Sequence, residues 1–179
     1  MLKKAPGKHT YATGGIGTSP HLSGEMFKQA TGVEMPHVPY RGSAPTMTDI
    51  AAGQVGFAID GVAVSAPMIE AGQLRGLAAT APRRVQRFPQ VPTTAEAGLE
   101  GLTVSSWFGL VAPGGTPFQI LHRLRDAALA GMSAPEVQRA MRAASAEQVA
   151  STPEAFDGFI SAETSRYRLL AARTRISIE

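Results

Sequence analysis

An α/β fold on a parallel or mixed sheet is predicted by three features of this sequence. Short extended segments, at residues 9–12, 37–40 and 55–59, alternate with helix-length segments. Each passes into its helix through a glycine-bearing turn: Thr13-Gly14-Gly15-Ile16-Gly17, Arg41-Gly42 and Asp60-Gly61. Hydrophobic residues make up 44% of the 179 and charged residues 17%, a balance that buries a core and does not leave the chain compositionally disordered.

In chain order, His9-Thr10-Tyr11-Ala12 is the first strand candidate. After the glycine loop, Ser19 at the N-cap and Pro20 at the first helical position start a helix. Leu22, Met26, Phe27 and Ala30 share one face of it, and Gly32 stops it. His37-Val38-Pro39-Tyr40 is extended, Arg41-Gly42 turns, and Ser43 caps a short helix through Ala52. Val55, Phe57 and Ile59 alternate as a strand that ends at Asp60-Gly61. A helix from about Ser65 to Ala71, closed by Gly72, and a strand over residues 74–79 follow. Residues 81–103 form a connection in which Thr93 and Glu96 make a capping box for one short helix. Residues 104–111 read as a strand, broken by Pro113-Gly114-Gly115.

The remainder reads as helical. Thr116 and Pro117 start a helix with a stripe of Ile120, Leu121, Leu124 and Leu129. Capping boxes at Ser133/Glu136 and Ser151/Glu154 start two more, the last carrying Phe156, Phe159, Ile160, Tyr167 and Leu170.

Composition excludes several classes. The formal net charge is +3 and no dense basic block occurs, so no nucleic-acid partner is expected, despite a pI near 9.6. No apolar run approaches the roughly 18 residues of a membrane span. Without cysteine there is no disulfide, thiolate metal site or Cys nucleophile. His9, His37 and His122 lack metal-ligand spacing, and no metal or cofactor is expected. No apolar h-region follows Met1, Lys3, Lys4 and Pro6-Gly7, so the expectation is a chain without a signal peptide, cytoplasmic if expressed as written.

The strongest candidate site is Thr13-Gly14-Gly15-Ile16-Gly17-Thr18-Ser19. Glycines between a strand and a helix admit close backbone approach, and the N–H groups of a helix start suit a phosphate or carboxylate. The hydroxyls of Thr13, Thr18 and Ser19 add neutral hydrogen-bonding groups. The alternative is a tight turn with ordinary capping. The loop lacks the Gly-Lys-Ser/Thr end of a Walker A loop and the third glycine of a dinucleotide fingerprint. The turn at Arg41-Gly42-Ser43 has the same geometry and faces the same crevice. Arg41 is either a cation for a carboxylate or a solvated loop residue. Asp60 either holds an amino group or hydroxyl, or caps Val62-Ala63. A triad of Ser19, His21 and Asp60 is poorly supported. There is no Gly-x-Ser-x-Gly elbow, and His21 shares the first helical turn with Ser19.

Four ordered stretches carry a resemblance. Residues 11–27, from Tyr11-Ala12-Thr13-Gly14-Gly15-Ile16-Gly17-Thr18-Ser19-Pro20-His21 through Phe27, resemble a signature of the Bug-type receptors, the substrate-binding proteins of tripartite tricarboxylate transporters. His37-Val38-Pro39-Tyr40-Arg41-Gly42-Ser43-Ala44-Pro45, Val91-Pro92-Thr93-Thr94-Ala95-Glu96-Ala97-Gly98 and residues 105–113 around Trp107-Phe108-Gly109 are similar to three more, in the family's order. The resemblance implies a type II periplasmic-binding-protein fold that closes on a small carboxylate: a di- or tricarboxylate, an acidic amino acid or an aromatic acid. It also implies no enzymatic activity and delivery of the ligand to membrane permease subunits in the periplasm. By position, Thr13, Gly14, Gly15, Gly17, Thr18 and Ser19 inherit the second-lobe carboxylate loop. Ser43 and Asp60 inherit weaker ligand contacts, and Arg41 a crevice role.

The family's signal peptide and its first-lobe Pro-Pro-Gly-Gly loop have no counterpart here. The resemblance therefore implies that residues 1–103 are most of the second lobe. Residues 104–179 are then the return strand and C-terminal helices of the first. The alternative expectation is a truncated, non-transporting relative that binds weakly or self-associates through exposed first-lobe helices.

Overall fold

A computed structural model describes Leu2 and residues 7–174. The elements run β1 (Tyr11–Thr13), α1 (Ser19–Thr31), β2 (His37–Pro39), α2 (Ser43–Ala51), β3 (Phe57–Ala58), α3 (Val62–Glu70), α4 (Phe118–Met132), α5 (Pro135–Ala143) and α6 (Pro153–Thr174). The chain divides into two compact units. One comprises the described residues up to Ser106 with those from Leu170 onward, the other Trp107–Leu169.

The first unit carries the predicted sheet. Its three strands are parallel in the order β2-β1-β3, with Tyr11 opposite both His37 and Phe57. Parallel neighbours need crossover connections, and α1 and α2 supply them. Central β1 is wholly buried, and Tyr11 packs with Val33 and Met35 against Phe27, Phe57 and Leu2. Gly32 ends α1 in the left-handed region at φ 65°, its N–H bonded to Lys28 O at 2.9 Å, as the sequence predicts. The N-cap is Thr18, one residue before the predicted Ser19: its hydroxyl accepts from His21 N at 3.4 Å. Similarly α2 is capped at Gly42 without a side-chain bond, and Ser43 is its first residue. α3 starts at Val62, three residues before the predicted Ser65, because the strand ends sooner and Gly61 turns straight into the helix.

Two predicted strands are not formed. Residues 74–79 contribute only an isolated parallel bridge, Ala79 to Thr93. Residues 104–111 are irregular beyond the Val104 N–H, which bonds Thr80 O at 2.9 Å. A strand needs a neighbour to take its backbone groups, and among the described residues 105–111 have none. The Thr93/Glu96 capping box does form: Thr93 N–H reaches Glu96 Oε2 at 2.7 Å, and Glu96 N–H reaches Thr93 Oγ1 at 3.1 Å. It closes a single turn and not a helix.

In the second unit, Ser133 is the C-cap of α4 and Ala134 the N-cap of α5, so the Ser133/Glu136 box is not made. Thr152, not Ser151, caps α6, accepting from Ala155 N at 3.2 Å. Trp107 meets Phe156 and Phe159 edge-on at 5.7 and 5.3 Å between ring centroids. The predicted α4 stripe is only partly covered, with Leu121 and Leu129 half-buried and Ile120 and Leu124 exposed, and Phe108 is 98% exposed. Among the described residues no helix is long and apolar enough to cross a membrane.

Candidate functional site

Because the three strands are parallel, their strand-to-helix turns all lie on one edge of the sheet. β1 leads through the glycine loop to α1, β2 through Arg41-Gly42 to α2, and β3 through Asp60-Gly61 to α3. Open α/β sheets bind ligands at this edge, and helix N-termini there carry partial positive charge.

The first two turns meet backbone to backbone. Tyr40 N–H bonds Thr13 O at 2.9 Å and Gly42 N–H bonds Gly14 O at 3.0 Å. A Cβ at Gly14 would stand 3.0 Å from Gly42 C and Ser43 N, so any side chain there requires the Gly42-Ser43 turn to give way by a few tenths of an ångström. Gly42, at φ 107°, also takes a conformation that side chains resist. The third turn is tied in by Asp60, whose Oδ1 accepts from the Ser43 hydroxyl and from Gly61 N–H, both at 2.7 Å. Asp60 thus does not cap Val62-Ala63. Its Oδ2 is buried without a hydrogen-bond partner among the described residues. Tyr40 donates to Asp49 Oδ2 at 2.6 Å, fastening the end of β2 to α2, and this bond raises the Tyr40 phenol above its ordinary range.

The nine predicted residues therefore gather on one edge, but their side chains differ in what they are free to do. Thr13 is fully buried and its hydroxyl is engaged by His37 Nε2 at 2.7 Å and by Gly15 O at 3.2 Å. Thr18 donates to Gly15 O at 2.8 Å and caps α1. Both hydroxyls shape the loop. The Ser19 hydroxyl has no bonded partner among the described residues. Arg41 is exposed and unpaired in the same sense. Gly14, Gly15 and Gly17 contribute backbone only. Replacing Gly14 with alanine is expected to push the Ser43 turn away and to weaken anion binding about tenfold or more, read by calorimetric titration.

A polar cluster behind the loop was not legible as a group in the sequence. His21 and His37 stack at 4.1 Å, and His37 stacks on Tyr11 at 4.8 Å. Tyr11 donates to Glu25 Oε1 at 2.6 Å, and Lys28 pairs with the same carboxylate at 2.8 Å. Burial pushes the Tyr11 phenol far up, helped by Glu25. At Glu25 burial works upward, but bonds from Lys28 and Tyr11 outweigh it and hold the carboxyl below its usual range. Burial lowers both imidazoles, that of His37 to about 4. His21 Nδ1 accepts from Gly17 N–H at 3.0 Å, so His21 is committed to the loop and no Ser19–His21 dyad exists. The one local signal was the Glu25/Lys28 spacing along a helix. Among the described residues no cluster of three or more His, Cys, Asp or Glu has metal-holding geometry.

A parallel sheet with its candidate anion loops at the strand ends defines an open α/β protein built to bind a ligand at that edge. The profile of the family described as "Tripartite tricarboxylate transporter family receptor" matches residues 1–174, and the chain belongs to that family. This is a family of solute-binding receptors, not of enzymes. The chain is 37% identical over 181 residues to a UPF0065 protein from the tcbD-tcbE intergenic region of Pseudomonas sp. strain P51, covering 99% of this chain and 54% of that protein. It is 34% identical to Protein BugT of Bordetella pertussis, over 93% of this chain and 51% of that one. Among solved structures, it superimposes with a TM-score of 0.87 on an R. palustris protein determined with adipate, at 36% identity, covering 98% of this chain and 59% of the other. The chain thus spans about half the length of the curated relatives it matches.

Proposed function

We propose that this chain contributes a carboxylate-binding edge to an extracytoplasmic solute receptor that hands a small di- or tricarboxylate, acidic amino acid or aromatic acid to membrane permease subunits. The observation that carries the reading is the convergence of the glycine loop and the Gly42-Ser43 turn at backbone distance, with Arg41 unpaired beside them. Two helix starts and one cation favour an anion there without a buried salt bridge. Ser19 supplies a free hydroxyl, while Ser43 gives its proton to Asp60 and offers the anion its backbone N–H, and Asp60 selects against ligands that would place a second anion at its oxygens. Adipate in the R. palustris relative supports the ligand class. Family membership supports the permease partnership and a periplasmic site of action.

Isothermal titration of the 179-residue chain with adipate is expected to give saturable binding of one ligand per chain, with the ligand recovered unchanged. Absence of binding for adipate, citrate and glutamate at millimolar concentration would remove the reading. A second reading, weak binding with self-association, is favoured by the exposed Phe108, Leu110, Val111, Phe118 and Leu124 of the second unit. Sedimentation over a concentration series separates the two: a mass that rises with concentration supports association, and a constant monomer mass opposes it.

A further inference from the structure

Two imidazoles from different elements hold one loop. His21 lies on α1 and is 6% exposed, and its Nδ1 accepts the Gly17 N–H. His37 lies on β2, and its Nε2 meets Thr13 Oγ1. That hydroxyl also lies 3.2 Å from Gly15 O and accepts from Gly15 N–H at 3.4 Å. The Thr13 hydroxyl thus joins His37 to the Gly15 peptide, whichever of the two partners takes its proton. His21 must leave Nδ1 bare to accept from Gly17, so it is protonated on Nε2. The Gly17 amide thus fixes the tautomer of His21.

We propose that the stacked, neutral His21–His37 pair is the positioning device of the glycine loop: His21 sets the Gly17 amide, and His37 sets Gly15 through Thr13. It rests on the reading of that loop as a carboxylate site. The groups facing the pair are Tyr11 from β1 and Glu25 and Lys28 from α1. Burial is the main force keeping both rings neutral; at His37 the neighbouring His21 adds to it, and at both rings Lys28 assists and Glu25 opposes. A proton on His21 Nδ1 turns the acceptor into a donor facing the Gly17 N–H, which frees that end of the loop. Acidification then releases the loop even while it adds positive charge near an anion.

The test has a readout that needs no ligand. Nitrogen-15 NMR of the full chain is expected to show His21 as the Nε2–H tautomer at neutral pH, with the Gly17 amide shifting as His21 titrates. A second readout is adipate affinity. His21→Asn places a carboxamide oxygen where Nδ1 was and is expected to stay within about threefold of the unaltered chain. His21→Gln sets its polar atoms too far out and is expected to lose about tenfold, the equivalent of one hydrogen bond. An Nδ1–H tautomer at His21, a Gly17 amide indifferent to its titration, or equal losses in the two folded variants would overturn the proposal. If the Gly17 amide follows His21 but no protein binds adipate or another carboxylate, loop positioning stands and the carboxylate reading falls.

Discussion

Gly24→Ala is expected to lower the stability of the first unit by about 3 kcal/mol, with a fall in its melting temperature of roughly 10 °C. Gly24 is buried on α1, where the helix backbone presses on the Tyr11 ring. An alanine methyl there would fall inside the envelope of Tyr11 Cε2, Cδ2 and Cζ. Tyr11 cannot retreat. It is 0% exposed, it stacks on His37, and its hydroxyl is held by Glu25. Relief must therefore come from moving α1 off the sheet, which also disturbs the Gly17–His21 bond at the helix start. Helix propensity acts in the opposite direction, since alanine is better than glycine in a helix by about 1 kcal/mol, and the overlap must exceed that gain. Thermal unfolding followed by amide exchange in β1 checks the expectation. Tyr11→Phe keeps the ring and should not rescue. In the Tyr11→Ala background the methyl has room, so the double variant should be less destabilised than the sum of the singles by at least about 1 kcal/mol. A Gly24→Ala protein that melts like the unaltered chain would mean that the helix approaches Tyr11 less closely than described.

Glycine and proline punctuation made much of the first unit legible. Gly32 and Pro20 bound α1 because each acts through its own backbone, whatever surrounds it. The parallel sheet followed from alternation of extended and helical segments, and it brought Thr13 to Ser19, Arg41, Ser43 and Asp60 to one edge. The errors came where structure depends on a distant neighbour. Residues 104–111 have strand composition, yet Phe108 and Val111 lie almost fully exposed and the segment has no ladder. Cap positions slipped because Thr18 and Ser19, or Ser151 and Thr152, offer the same hydroxyl one residue apart, and local sequence does not choose between them. The sequence also showed Thr13 as a free hydroxyl. Only the fold brings His37, distant in sequence, to within 2.7 Å of it and turns a candidate ligand contact into a support for the loop. The same holds for Ser43 and Asp60, whose bond joins two turns that the sequence presents separately.

Stability of the first unit is expected to fall as pH drops from about 6.5 toward about 4, well before most carboxylates titrate. The cause is His37, whose folded-state pKa lies near 4 against an ordinary value of 6.5. Burial is the larger contributor, and a charge on the stacked His21 adds to it. Between those two pH values the unfolded chain binds the proton and the folded chain does not. Folding is then opposed more strongly with each step of acidification, and the contribution present above pH 6.5 is lost as pH falls through the folded value. At full weight such a shift is worth about 3 kcal/mol. The ring is only partly withdrawn from water, so screening reduces the expected loss to about 1–2 kcal/mol. His21, lowered in the same direction, adds to it. Glu25 contributes later: its carboxyl is held low by Lys28 and Tyr11 against burial, so its share is lost only below the ordinary carboxylate range. The measurement is denaturant unfolding at pH 7, 6, 5 and 4.5 in the unaltered chain and in His37→Gln, which keeps a hydrogen-bonding amide near Thr13 Oγ1 but cannot titrate. The difference between the two curves isolates the imidazole. It should narrow or reverse toward low pH, because the uncharged variant escapes the loss. Parallel curves would show that the folded-state pKa of His37 lies near its ordinary value and that burial does not hold the ring neutral.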